Sequence, residues 1–252
     1  MMMNKYLILP LFSVALLWSS CSSVYMPNVP NTPMLSEKGE LSAGVHISPK
    51  GNASINGAYA VSNHFGVLFS GSYMKNERTS KDFRHKLVEV GGGYIDTFGP
   101  DNNRIIEIYA GYGGGSADRN FREFDDHNVL TSNIQEEVTF TKTFIQVNYS
   151  SKKNSYLKLF GNRYALNYGT AIRISHVGMD TFLINNIGQP KEDNIFIEPV
   201  FFTRMRLSDA VQLQYTSSGN FGLRDNKFMT AGNSIFTIGA VVNLGGKKSP
   251  SK

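Results

Sequence analysis

The sequence predicts an all-β fold, a closed antiparallel up-and-down β-barrel of roughly ten strands. Three observations carry that reading. Apolar residues alternate with period two through most of the chain from Gly39 onward. The alternating segments are longer than the strands of ordinary globular sheets. Short and long connections then take turns along the chain. The 252 residues suffice for one barrel as a single domain, and 24 glycines with 12% aromatic residues suit tight hairpins and aromatic rings near strand ends.

Taken in order, the chain opens on a leader. Lys5 supplies a positive start, and Tyr6 to Trp18 is an apolar stretch of about thirteen residues, short of the roughly 20 a spanning helix needs. Ser19 and Ser20 then precede Cys21, the single cysteine of the sequence, so no intramolecular disulfide forms. Trp18-Ser19-Ser20-Cys21 resembles the lipobox of lipoprotein signal peptides, with Trp18 standing where Leu is usual. The resemblance implies cleavage before Cys21, a thioether-linked diacylglycerol and an N-acyl chain, each buried CH₂ contributing about 0.8 kcal/mol to anchoring. An ordinary secretory leader with an incidental Cys21 is the alternative. Ser22, not an acidic residue, follows the cysteine, a pattern that resembles cargo passed on to the outer membrane. Residues 1–20 therefore read as a lipoprotein signal peptide. Residues 21–38, with Pro27, Pro30 and Pro33, read as a lipidated extended tether. Residues 39–246 read as the barrel and 247–252 as a basic tail.

Alternation predicts strands over 39–48, 52–62, 64–75, 86–98, 103–116, 136–150, 163–177, 194–207, 210–217 and 234–245. In the first, Leu41, Ala43, Val45 and Ile47 oppose Ser42, Gly44, His46 and Ser48. In the third, Phe65, Val67, Phe69 and Tyr73 oppose Gly66, Ser70 and Ser72. The later strands repeat the scheme, ending with Phe236, Ile238, Ala240, Val242 and Leu244 against Thr237, Gly239 and Asn243. Three places resist it. Pro199 falls inside a strand and calls for a bulge. Gly91-Gly92-Gly93 predicts another, with a change of phase at Ile95 and Asp96. In the sixth strand Phe140 and Phe144 share parity with Lys142, Gln146 and Asn148.

The polar faces carry Ser, Gly, Thr, Asn and Gln, with little of the Lys that a solvated strand face displays. The expected arrangement is therefore apolar outside and polar within. Glu89, Glu107, Arg173, Glu198, Arg204 and Arg206 would form a charge network in the bore, where opposite charges offset much of the cost of confinement. Connections at 62–64, 99–102 and 208–209 are short, and those at 76–85, 117–135, 178–193 and 218–233 are long. Tyr156 to Phe160 lengthens the sixth strand into an otherwise short-turn end. At this level Gly39 to Gly245 resembles the small outer-membrane β-barrel family. That resemblance implies short periplasmic turns, extracellular long loops and, with an even strand count, a lipid anchor on the periplasmic leaflet. The C-terminus departs from the family by running on through Gly245-Gly246 to Lys252 instead of ending on an aromatic strand residue.

The search for chemistry is brief. Gly111 to Ser116 (GYGGGS) has no helix after it and is not a nucleotide motif. The five histidines stand at no metal-ligand spacing. His46 with Ser48, and His127 beside Asp125 and Asp126, are the nearest approach to a hydrolytic set. No cofactor is expected. The net charge of +5 is spread along the chain, which argues against nucleic acid. The expected partners are membrane lipid, through the acyl chains and the barrel exterior, and lipopolysaccharide, through the basic stretch Lys75 to Lys86. The first functional reading is a non-catalytic envelope barrel with a structural, adhesive or surface-interaction role. The second is a soluble lipocalin-like ligand-binding barrel tethered by its lipid. The third is a barrel hydrolase acting on envelope lipid.

Overall fold

The structure, a computed structural model, describes residues 23–230 and 235–245. Twelve strands follow one another: β1 Leu41–Ile47, β2 Asn52–Ala60, β3 Phe65–Glu77, β4 Lys81–Phe98, β5 Arg104–Phe124, β6 Leu130–Leu159, β7 Asn162–Ile184, β8 Ile187–Gly188, β9 Asp193–Arg206, β10 Val211–Ser218, β11 Phe221–Gly222 and β12 Ile235–Leu244. Ten of them close a ring of antiparallel neighbours, while β8 and β11 are two-residue additions to β7 and β9. The seam is β1 against β12, from Leu41 opposite Leu244 to Ile47 opposite Ile238. The ten strands predicted from alternation are these ten. Residues 1–20, read as a signal peptide, Cys21, and residues 247–252, read as a basic tail, lie outside the described residues.

One end of the barrel, here the proximal end, holds the start of β1, the end of β12 and the turns 61–64, 99–103, 160–161 and 207–210. The distal end differs from expectation. Three connections read as long loops are mostly strand. β3 and β4 run up to a turn at 78–80, β5 and β6 to one at 125–129, and β7 continues to Ile184 before turning back through β8. These segments lie beyond the apolar band, where the outer side chains no longer form a regular apolar row, although inward ones such as His85, Ala117, Arg119, Met179 and Phe182 stay buried. Their ladders form without any alternation to betray them. The Asp125 carboxylate closes the β5–β6 turn by accepting the His127 and Val129 N–H groups at 2.9 and 2.8 Å. Between β10 and β12 the described residues 219–230 carry just the two-residue β11.

Outward positions form an apolar band about five rows deep. It includes Val45, Ile55, Val67, Val90, Ile108, Ile145, Ile172, Phe201, Leu213 and Ile238, all exposed. Tyr59, Phe65, Tyr94 and Tyr149 mark its proximal border, and Tyr73 and Tyr112 its distal one. Beyond Tyr73 and Val88 the outward residues turn polar at Lys75, Lys86, Ser116, Thr143 and His176. Nine residues of tilted strand span about the height of a bilayer's hydrocarbon core.

The two expected bulges are absent. β4 pairs with β5 without interruption from Lys81 opposite Phe121 to Phe98 opposite Arg104, and Ile95 keeps the inward phase of Glu89, Gly91 and Gly93. The glycines have another cause. A Cβ on Gly111 would stand 2.3 Å from Phe144 Cζ, and one on Gly115 2.7 Å from Phe140 Cζ, so bare backbone on β5 gives room to inward rings from β6. That also resolves the parity of the sixth strand, since Phe140, Lys142, Phe144, Gln146 and Asn148 all face the bore. Pro199 keeps register with Ile172 of β7. On its other side β10 has just ended, where the Pro199 carbonyl accepts Gly219 N–H at 3.1 Å, so its missing N–H falls at a break in the ladder. Register shifts occur at Glu123/Phe124, Thr139/Phe140 and Ser151/Ser155 instead.

Candidate functional site

The bore is filled by the chain's own N-terminal segment. Residues 23–35, read from sequence as part of a tether outside the fold, are extended as expected but lie inside the barrel, and almost all are buried. The segment makes no strand. Its three prolines remove three N–H donors that a ladder would need and that a bore would have to satisfy.

Its contacts run in order from end to end. At the proximal mouth Ser36 donates to Glu40, from N–H at 2.5 Å and from Oγ at 2.7 Å, and Lys152 Nζ donates to Ser36 Oγ at 3.0 Å. Leu35 N–H then meets Glu107 Oε1 at 3.1 Å. The Arg204 guanidinium donates to the Pro33 and Thr32 carbonyls at 3.1 and 2.5 Å. The Asn31 carbonyl accepts from Gln146 at 2.6 Å and Asn148 at 3.2 Å. Asn28 Nδ2 reaches Glu89 at 3.0 Å, and Met26 N–H donates to His85 Nε2 at 3.2 Å. Tyr25 Oη donates to Glu198 at 2.9 Å. At the distal end Val24 N–H reaches the Phe228 carbonyl at 3.1 Å, and Ser23 Oγ the Thr230 carbonyl at 2.7 Å.

The bore is layered. Distally Val24 and Tyr25 join Leu87, Val138, Phe140, Val177, Phe196 and Met229 in an apolar cluster, with Tyr25 stacked on Phe196 at 4.8 Å. Proximally Met34 and Leu35 join Leu68, Ile95, Ile105, Tyr109, Phe144 and Phe202 in a second. The expectation of a bore lined by small polar groups therefore holds only in part: both mouths are sealed by aliphatic and aromatic side chains, and a third apolar cluster of Met26, Val29, Met74, Ala171, Val200 and Ile235 lies along the bore.

The middle holds the charges. Glu89 sits 2.8 Å from Lys142 Nζ and 3.0 Å from Arg173 Nη1, and Lys142 bridges on to Glu198 at 3.2 Å. All four side chains are fully buried. Two carboxylates against two cations leave the group neutral, the condition for keeping charge out of water. Gln146 Oε1 takes the rest of Arg173, from Nε at 2.8 Å and Nη2 at 2.6 Å. Glu107 and Arg204 form a second, more proximal set, in which Glu107 also accepts from Tyr109 Oη and Asn148 Nδ2, both at 3.1 Å.

The six charged residues singled out from sequence thus divide. Glu89, Arg173 and Glu198 meet; Glu107 and Arg204 bind the plug nearby; Arg206 is exposed at the proximal mouth and joins neither. Arg206 is the inward parity's last residue, where the barrel wall has already ended. Lys142 was missed because its strand resisted assignment, although its shared parity with Gln146 and Asn148 was the signal. The plug was missed because its prolines suggested a free tether. Val24, Tyr25, Met26, Val29, Met34 and Leu35 are more apolar surface than a solvated tether carries, and that was legible.

Little space remains. A pocket of about 10 Å³ lies between Asn31, Thr32, His46 and Arg204, room for about one water. A cavity of about 200 Å³ opens at the proximal mouth between Leu35, Glu40, Lys152, Asn167 and Arg206. Among the described residues no three His, Cys, Asp or Glu side chains gather to hold a metal. His46 is buried in the bore wall, and His127 is exposed in the β5–β6 turn. At the distal rim His176 pairs with Asp193 at 3.0 Å, with Arg224 also against that carboxylate. The hydrogen bond from His176, helped by Arg224, holds Asp193 below the usual carboxylate range.

No protein-family model matches the sequence, and no curated protein is similar to it at a significant level. Among solved structures, the translocator domain of autotransporter NalP from Neisseria meningitidis is similar over 81% of this chain and 85% of its own, at 9% identity and a TM-score of 0.45. NanC porin is similar over 81% of this chain and 98% of its own, at 8% identity and a TM-score of 0.25.

Proposed function

We propose that this protein is an integral outer-membrane barrel, closed to solutes by its own N-terminal segment, that serves as a non-catalytic scaffold for its distal strands and turns at the cell surface. The observation that carries the proposal is the inversion of the fold. Ile145 is 62% exposed on the outer wall, while Lys142 and Arg173 are fully buried behind it. Water punishes both placements, whereas hydrocarbon outside and paired charge inside favour both. A lipocalin-like carrier needs an apolar cavity, and here the bore is occupied. A hydrolase needs converging nucleophile, base and acid, whereas His46 is buried in the bore wall and His127 stands in the exposed β5–β6 turn.

Cys21 is proposed to be cleaved and acylated as its lipobox-like setting implies, which adds a lipid anchor to the barrel. Replacing Cys21 by Ser separates the readings. The spanning barrel stays in the membrane fraction, is extracted by detergent and retains a heat-modifiable gel mobility. Release of the variant into buffer would identify a soluble barrel hung from lipid.

Lipopolysaccharide is the proposed surface partner. Lys75 and Arg84 are cross-strand partners just above the distal border of the band, and Lys86 stands beside Tyr73. All three are exposed, at the height of headgroup phosphates. Lipopolysaccharide co-purifying with the protein is expected to fall several-fold in the Arg84→Glu, Lys86→Glu double variant. Unchanged co-purification would remove this partner.

A further inference from the structure

We propose that the mature N-terminus, together with any acyl group on Cys21, lies at the distal end of the barrel, across the membrane from the C-terminus; the inference rests on the membrane-spanning reading above. The sequence alone put the anchor with the short turns, on the periplasmic side. The contacts inside the bore point the other way.

Direction is fixed by contacts along the whole segment, from Ser36 against Glu40 at the proximal mouth, through Asn28 and Tyr25 against the central Glu89 and Glu198, to Ser23 against Thr230. From Ser23 to Ser36 is thirteen residue steps, which in extended form reach about 45 Å, more than the roughly 30 Å of a bilayer's hydrocarbon core. Thr230 and Phe228 belong to the connection between β10 and β12, which opens at the distal end. Cys21 is two residues before Ser23, within about 7 Å of it by covalent reach alone. Gly245, by contrast, follows β12 at the proximal end.

The placement demands no passage of a lipidated end through a finished pore. The seam between β1 and β12 is a ladder of seven residue pairs, so an open sheet can curl around the segment and close afterwards. Charge balances within the wall itself, and the segment adds hydrogen bonds to it, from Asn28 to Glu89 and from Tyr25 to Glu198. Once closed, the barrel holds its own N-terminus on the outer face, and acyl chains there would enter the outer leaflet.

The test uses the full chain in its own outer membrane, with one epitope inserted at a time: after Ser22, in the turn between Asp126 and His127, or after Lys252. Antibody binding to intact cells is expected for the first two at similar intensity. The third should need permeabilisation. If the Ser22 epitope is hidden until permeabilisation while the turn epitope is not, the N-terminus is proximal and the proposal fails, with the spanning barrel intact. Equal accessibility of all three would instead overturn the spanning reading. Should the Ser22 insertion abolish heat-modifiable mobility, a Ser23→Cys, Thr230→Cys pair replaces it. A disulfide shifting the mobility of the unreduced chain is expected, and its absence contradicts the proposal.

Discussion

Deleting residues 24–34 is expected to turn an electrically silent barrel into a conducting one. With the segment present, the apolar clusters around Tyr25 and Leu35 close both mouths, and the gap beside Asn31 and Thr32 holds about 10 Å³. Without it, Glu89, Lys142, Arg173 and Glu198 still balance one another, so the emptied bore can take up water and ions instead of collapsing. Planar-bilayer recordings should show no stepwise current from the intact protein and discrete steps from the shortened one. Silence from a shortened protein that keeps its heat-modifiable mobility would mean that the wall, not the segment, closes the barrel.

Arg173→Met is expected to cost about 3–5 kcal/mol, the range for removing one partner of a buried ion pair. The guanidinium leaves behind Glu89, Gln146 Oε1 and a cluster with two carboxylates against Lys142 alone. Adding Glu89→Gln restores one charge of each sign, Lys142 with Glu198 at 3.2 Å, and should recover most of the loss. The shift in urea or temperature midpoint of the heat-modifiable form reads both effects. A single variant as stable as the parent would show that the cluster is hydrated and contributes nothing to stability.

The strands were legible because every one of the ten turns an apolar row outward and its other face to a bore, the condition under which period two is strongest. Where that condition lapses, so does the signal. Residues 76–85 and 117–135 lack a regular apolar outer row and read as loops, yet their backbone groups pair across β3–β6, and His85, Ala117 and Arg119 are buried on the inner side. Gly91 to Gly93 suggested a kink, because a glycine run has no side chains to show phase. The rings that use the same kind of gap on β5, Phe140 and Phe144, come from β6. Pro199 suggested a bulge, because sequence does not show that β10 ends beside it. The charge cluster was half legible for a similar reason. Alternation assigns a residue to the bore, but only register across strands β4, β6, β7 and β9 says which charges share a depth. The plug had no periodicity to detect, since an extended chain in a bore is surrounded on all sides.

The outward orientation of the apolar rows is the claim on which the spanning reading, the sealed bore and the displayed N-terminus all depend. Ile145→Cys, carrying a fluorophore and reconstituted into vesicles whose acyl chains are brominated, tests it directly. Strong quenching, together with protection of the unlabelled thiol from a charged water-soluble reagent, is the predicted result. An unquenched probe whose thiol reacts freely in the reconstituted protein would mean that the wall faces water.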